Sequence, residues 1–360
     1  MTRLTQLASH FAIDGTIAPV KPLGEGFIND TYTVTLEGQD QPSYILQRKN
    51  HIVFPDVPAM MDNIVAVTEH IKKKVKDPMR ETLTVIKTVG GKNYYKDAEG
   101  NYWAVCVFIP DSVTYDVPDT LELTRQGGIG VGRFQAQLAD FDKPLAEVIK
   151  GFHNIRWRFV QWDESLARDA AGRKAGLETE IYFIESRRAD MLDFWSRVES
   201  GEIPTRVTHN DTKLSNILFD KNTGKVLCAI DLDTVMSSTS LNDVGDAIRS
   251  YANATVEDDP DYSKVYMRLD MFEAYLDGYL SERGSTLSDS EKEWLAFAPL
   301  YITYEQVLRF LMDYIDGDTY YKIKYPEHNL VRTRSQMALL RSMEDQYEEM
   351  KKIVKDLLAR

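Results

Sequence analysis

Thr208-His209-Asn210-Asp211-Thr212-Lys213-Leu214-Ser215-Asn216-Ile217-Leu218, followed by Ile230-Asp231-Leu232-Asp233, decides how this chain is read. An Asp precedes an Asn by five residues, and a second Asp follows fifteen residues later. Between them Val226-Leu227-Cys228-Ala229-Ile230 is an apolar run that predicts a short buried strand. One Asp, one Asn and one Asp on a loop–strand–loop unit are the groups that phosphoryl transfer from magnesium-ATP requires. The first Asp orients the acceptor hydroxyl and takes its proton, and the Asn and second Asp hold magnesium. Each residue also has a plainer use: Asp211 as a helix cap, Asn216 in a turn, Asp231 at a strand end. The joint spacing favours the chemistry. His209 is expected to fix the loop by hydrogen bonding. Lys213 either neutralises a phosphate or stands in solvent.

Upstream, Gly24-Glu25-Gly26-Phe27-Ile28-Asn29 misses the dinucleotide fingerprint at its third glycine and opens a strand rather than a helix. By itself it starts a hairpin. Paired with the downstream set it reads as a flap, with Gly24, Gly26 and Asn29 letting backbone N–H groups reach ATP phosphates. Strands are expected near 32–36, 43–48, 85–88 and 103–109, with a helix from Val57 to Lys76. Pro110-Asp111 marks the expected boundary between a β-rich lobe, 1–110, and a mainly helical lobe, 111–360. In the second lobe helical spacing predicts segments at 119–140, 161–172, 177–200, 264–282, 288–297 and 298–315, then one long amphipathic helix through Met337 and Leu357. The glycines at 127, 128, 130 and 132 predict close helix packing. The aromatic, basic stretch 152–159 reads as a loop.

The 360 residues suffice for two lobes, and 43% hydrophobic with 28% charged content is that of an ordinary globular chain. A net charge of −13 argues against a general nucleic-acid binder. Cys106 and Cys228 lie in apolar runs and suggest buried thiols rather than a disulfide framework. No apolar run approaches the ~18–20 residues that span a bilayer. The N-terminus lacks a signal-peptide core. A cytoplasmic protein without membrane partners is expected.

The flap, His209-x-Asp211-x-x-x-x-Asn216 and Asp231-x-Asp233 resemble the aminoglycoside phosphotransferase-like kinases, which include choline, homoserine and sugar kinases. Within that superfamily the segments 206–214, 325–334 and 44–47 look like the bacterial N-acetylhexosamine 1-kinases. The resemblance implies an α+β, bilobal, protein-kinase-like fold with ATP and Mg2+ as cofactors. It implies Asp211 as base, Asn216 and Asp231 as magnesium ligands, and Asp233 assisting a second ion or orienting its neighbours. Phe108 and Ile109 would meet adenine through their backbone. Arg309 and Tyr320 fall at sugar-binding positions. Glu305 and Arg249 are further candidates, although Glu305, Arg309 and Asp313, spaced i, i+4, i+8, also read as a surface ion-pair ladder. Gln47 stands where protein kinases carry a phosphate-binding lysine; Lys49 follows, and its reach to the phosphates is left open. Phe27 and Ser250 also depart from the relatives' pattern and bear on nucleotide or sugar preference. The implied reaction phosphorylates the anomeric hydroxyl of an N-acetylhexosamine, and the implied state is a monomer. The alternatives are a same-fold kinase of homoserine, choline or an aminoglycoside, and a non-catalytic nucleotide-binding module, for which Gln47 is the best argument.

Overall fold

The structure, a computed structural model, describes residues 2–24 and 28–360. Gly26 and Phe27 of the expected flap lie outside the described residues. By contacts the chain forms two compact units. The first comprises residues up to Thr114, 137–150 and 216–237; the second comprises 115–136, 151–215 and 238–360. The single boundary expected at 110 is replaced by a discontinuous division. Asn63 shows the physical reason. This buried side chain donates to the carbonyls of Ala146 (2.9 Å) and Val235 (3.0 Å) and accepts from the Ala146 N–H (2.9 Å), so one amide stitches three distant segments together.

The first unit is built on an antiparallel sheet of β1 (Lys21–Pro22), β2 (Asp30–Val34), β3 (Tyr44–Lys49), β4 (Val85–Ile86), β5 (Tyr95–Lys96) and β6 (Tyr102–Val107). The order is β1-β2-β3-β6-β4, with β5 also on β6. Val34, Leu46, Trp103 and Val105 send side chains into a core shared with Leu7 and Phe11, from the helix α1 (Arg3–Ala8) and the residues after it. Side chains alternate along a strand, so with Leu46 inward, Gln47 and Lys49 share the other face. The helix α2 (Val57–Lys72) is capped by the Asp56 side chain. A second sheet joins β7 (Ser112–Val113), β9 (Ile217–Asp220) and β10 (Val226–Ala229) in the order β10-β9-β7. The strand expected at 226–230 is β10. Cys106 and Cys228 are free thiols, and burial pushes them up to about 11 and about 12.

The second unit holds β8 (Thr205–Thr208) and the helices α3 (Leu121–Gln137), α4 (Ile155–Arg168), α5 (Glu178–Glu185), α6 (Arg188–Glu199), α7 (Ser240–Tyr251), α8 (Leu269–Arg283), α9 (Asp289–Trp294), α10 (Ala298–Ile315), α11 (His328–Asp345) and α12 (Tyr347–Leu358). The stretch expected as a loop at 152–159 is mostly the first turn of α4. Asn154 caps it, accepting from the Trp157 N–H. The segment expected at 177–200 is two helices, and the long final helix breaks at Gln346. The ion-pair ladder is corrected as well. Glu305, Arg309 and Asp313 are 1%, 7% and 5% exposed, because α10 is the central helix, packed on α4, α7 and α11.

Gly127, Gly128 and Gly132 of α3 do serve close packing. A Cβ on Gly128 would collide with the Tyr275 carbonyl oxygen of α8, and one on Gly132 would lie 2.7 Å from the Tyr279 oxygen. Gly278 on α8 meets the Arg125 carbonyl reciprocally. Gly128→Ala should therefore destabilise the protein by about 1–3 kcal/mol despite its better helix propensity, because backbone cannot move aside as a side chain can. Thermal denaturation checks this; an unchanged or higher Tm would show that the helices have room.

Candidate active site

In the first unit Lys49 is the centre of a buried polar group. Its Nζ donates to Asp233 Oδ1 (2.7 Å) and Gln47 Oε1 (2.8 Å), while Asn29 Nδ2 donates to Asp233 Oδ2 (2.7 Å). Asn29 Oδ1 accepts from the Asn50 N–H, and Gln47 Nε2 donates to Thr31 Oγ1. Burial by itself would lower the Lys49 pKa. The charge of Asp233, then that of Asp231 and the hydrogen bond to Asp233, outweigh it and hold the ammonium above its ordinary value. The chain thus carries a cation on this face after all, two residues beyond Gln47. Gln47 and Asn29, expected at the phosphates, orient Lys49 and Asp233. Asp233, expected as a metal ligand, has both oxygens committed to protein partners.

Asn216 and Asp231 are brought side by side at the paired ends of β9 and β10, where the Ile230 N–H donates to the Asn216 carbonyl (2.9 Å). Asp231 is exposed and sits in a left-handed backbone conformation, φ 54°. Asp tolerates that region better than most residues. An amide oxygen and a carboxylate form an oxygen-only donor set, which fits Mg2+ held partly by protein and partly by phosphates. Among the described residues no group of three His, Cys, Asp or Glu side chains could hold a metal. Phe108 donates its N–H to Ser43 and Ile109 accepts from the Ser112 hydroxyl, which commits two of the backbone groups expected at adenine. Gly24 is left-handed, φ 64°.

In the second unit the loop after β8 is held by α7. The buried Asp243 carboxylate accepts from the N–H groups of His209 (3.0 Å) and Asn210 (2.7 Å) and from Gln135 Nε2 (2.8 Å). Asp246 accepts from the Thr212 N–H (2.8 Å). His209 Nδ1 accepts from the Asp211 N–H (3.3 Å), the loop-fixing role expected of it. The Asp211 side chain is left at the surface side of this frame, paired with the half-exposed Lys213 at 3.0 Å. The charge of Asp211, and beyond it those of Asp246 and Glu257, raise the Lys213 pKa. Arg249 is 3% exposed and bonds Asp246 (3.2 Å) and Glu257 (2.6 Å), so it braces the loop's support. Glu257 had no motif in the sequence to mark it.

On α10 both Glu305 oxygens are taken, by His153 Nδ1 (2.6 Å) and Arg158 Nε (3.1 Å). That places Glu305 behind the loop rather than toward an acceptor. The Arg309 guanidinium lies 5.5 Å from the Phe152 ring centre, 5.6 Å from Tyr320 and 5.5 Å from Tyr321. Asp313 holds the backbone of the two tyrosines by accepting from the N–H groups of Thr319, Tyr320 and Tyr321, and it also accepts from Asn329 Nδ2. Tyr320 is 57% exposed.

Residues 19–283 match the phosphotransferase enzyme family. Among solved structures, a microcompartment-associated aminopropanol kinase superposes with a TM-score of 0.62 at 18% identity, over 97% of this chain and 98% of that one. An amicoumacin kinase solved with AMP-PNP and Ca2+ gives 0.56 at 15% identity, over 96% and 92%. A choline/ethanolamine kinase family protein from Mesorhizobium loti gives 0.58 at 12% identity, over 99% and 100%. At these identities the likeness is one of fold: the kinase-like α+β architecture expected from the sequence.

Proposed function

This chain belongs to the phosphotransferase enzyme family, and from that premise we propose that it transfers a phosphoryl group from magnesium-ATP to the anomeric hydroxyl of an N-acetylhexosamine. The observation that carries the acceptor class is Arg309. It is nine-tenths buried among three aromatic rings, and among the described residues it makes no ion pair. Glu305 lies near enough to act on its charge, but among the described residues no carboxylate is bonded to it, which leaves its N–H groups to attract hydroxyl and carbonyl oxygens, such as those of a sugar and its acetamide. The likeness of segments 206–214 and 325–334 to the N-acetylhexosamine 1-kinases points the same way.

Asp211 orients the hydroxyl and accepts its proton late, because the transition state is loose and positioning outweighs base strength. Lys213 places a positive charge beside it. Asn216 and Asp231 would hold the magnesium ion, and Lys49, fixed by Asp233 and Gln47, supplies a permanent cation for phosphate oxygens. Held there, magnesium would supply positive charge to offset the charge that develops on the phosphate in transfer. The products are ADP and the sugar 1-phosphate. Anomeric configuration is kept, since the C1–O bond is not broken.

A coupled ADP assay with N-acetylglucosamine, N-acetylgalactosamine, glucose, galactose, choline, homoserine and kanamycin, with and without Mg2+, tests this. Turnover of choline or kanamycin without turnover of either N-acetylhexosamine would replace the reading with the same-fold alternative. The acids Asp211, Asp246 and Glu257 about Lys213 are what favour that alternative. Lys49, a cation on the face of Gln47, weighs against a non-catalytic module. Asp313→Ala, by releasing the backbone of 319–321, should raise the KM for the sugar about tenfold, the equivalent of one hydrogen bond to a charged group, and leave the KM for ATP alone. Steady-state kinetics in both substrates check it.

A further inference from the structure

Gly151 and His153, which flank Phe152, have no part in the chemistry above, yet their turn is closely fixed. Gly151 has φ 60° and its Cβ position is filled by the Trp157 side chain. His153 itself is left-handed, φ 41°, a costly conformation for a residue with a Cβ. Its carbonyl accepts from the Tyr301 hydroxyl (2.7 Å), and its ring is buried, 3% exposed. Nδ1 faces a Glu305 oxygen at 2.6 Å, and Nε2 faces the Asn210 carbonyl at 3.0 Å. Asn210 directly precedes Asp211 and is also left-handed, φ 67°.

Neither acceptor has a proton to give: one is a backbone carbonyl, the other a carboxylate already receiving a hydrogen bond from Arg158. Both ring nitrogens must donate, which only an imidazolium does. We propose that His153, kept as an imidazolium by Glu305, is a positioning residue for the transfer reaction: its Nε2–H clamps the Asn210 carbonyl and so aims the Asp211 carboxylate. This rests on the reading of Asp211 above. The charged groups around the ring are Glu305 on α10, Arg158 on α4 and Asp246 on α7, with Arg309 beside Glu305. Burial alone would lower the His153 pKa; the charge and hydrogen bond of Glu305, with the Asn210 carbonyl and Asp246, raise it instead. The Phe152 ring lies 4.4 Å from the His153 ring and 5.5 Å from the Arg309 guanidinium, so one turn carries both the clamp and a ring against Arg309.

The test uses the full chain, 15N-histidine labelled, and three variants. In the wild type both His153 ring nitrogens should keep their protons well above the ordinary histidine value of about 6.5. In Glu305→Gln, burial remains and the counter-charge is gone, so the titration should fall below that value. His153→Phe should lower kcat about 100-fold, as a misplaced reacting group does, with the KM for ATP within about twofold. His153→Gln, which can still present a donor where Nε2 lies, should recover part of kcat. The kinetics use whichever acceptor of the panel the wild type phosphorylates. If it phosphorylates none, the reading of the reaction fails, and amide exchange over 207–214 decides the clamp: faster in His153→Phe, restored in His153→Gln. A wild-type ring titrating near 6.5, unaltered kcat in His153→Phe, or unaltered loop exchange in that variant would overturn the proposal.

Discussion

Asp211→Asn will leave ATP binding intact and lower turnover by about 10²–10⁴-fold, the range a positioned base contributes. The substitution keeps volume and one hydrogen-bonding oxygen and removes the proton acceptor. The loop should keep its frame, because Asp243 holds the N–H groups of 209 and 210, and Asp246 holds that of 212. Lys213 loses the counter-charge 3.0 Å away but keeps the charges of Asp246 and Glu257 nearby, so it stays protonated. The Asn216–Asp231 pair and the Lys49 group lie outside the substitution. The prediction is therefore a kcat effect with nucleotide affinity within about twofold, measured by calorimetry with ATP–Mg and by the coupled assay. Near-normal turnover would remove Asp211 from the chemistry, whatever the fold.

Much of this was legible because it is written in local spacing. Asp211, Asn216 and Asp231 fall on a loop and two paired strand ends, and a period of two or of five survives translation into space. Lys49 was also marked, as a cation following Gln47 whose reach was left open; the alternation of a strand puts it on the face of Gln47. What the sequence hid was burial. Glu305, Arg309 and Asp313 have the spacing of a solvent-facing ladder, and only the packing of α10 on α4, α7 and α11 turns that face inward. Asn63 likewise looks like any polar residue on a helix, yet it decides that 137–150 joins the first unit. Asn154 could have corrected the loop expected at 152–159, because Asn before an apolar, aromatic run is a helix-start signal. Asp233 stayed open between two readings for a different reason: an Asp beside a metal-ligand position looks the same in sequence whether it assists an ion or orients a lysine.

That last point predicts a large stability effect. Asp233→Ala strands the Lys49 ammonium, 4% exposed, and removes the acceptor of Asn29. Breaking a buried ion pair from one side costs about 3–5 kcal/mol. The charge of Asp231, which also raises Lys49, sets the expectation at the lower end, about 3 kcal/mol. The sign of the pH dependence follows from the raised Lys49 pKa. The contribution is complete below the unfolded lysine value of about 10.4 and is lost only as pH climbs through the higher folded value, so the deficit of the variant should be the same at pH 7 and pH 9. Lys49→Met alone, which leaves Asp233 buried with Asn29 as its donor, should cost a similar amount. The double variant Lys49→Met/Asp233→Leu exchanges the pair for apolar volume and should recover most of the stability. It should not recover ATP binding, because no cation then remains on that face of β3. Urea denaturation at the two pH values and nucleotide titration of all three proteins separate the roles. A double variant as unstable as either single one would mean that the pair is embedded in a network that apolar packing cannot replace. A double variant that still binds ATP with wild-type affinity would mean that Lys49 serves the fold alone.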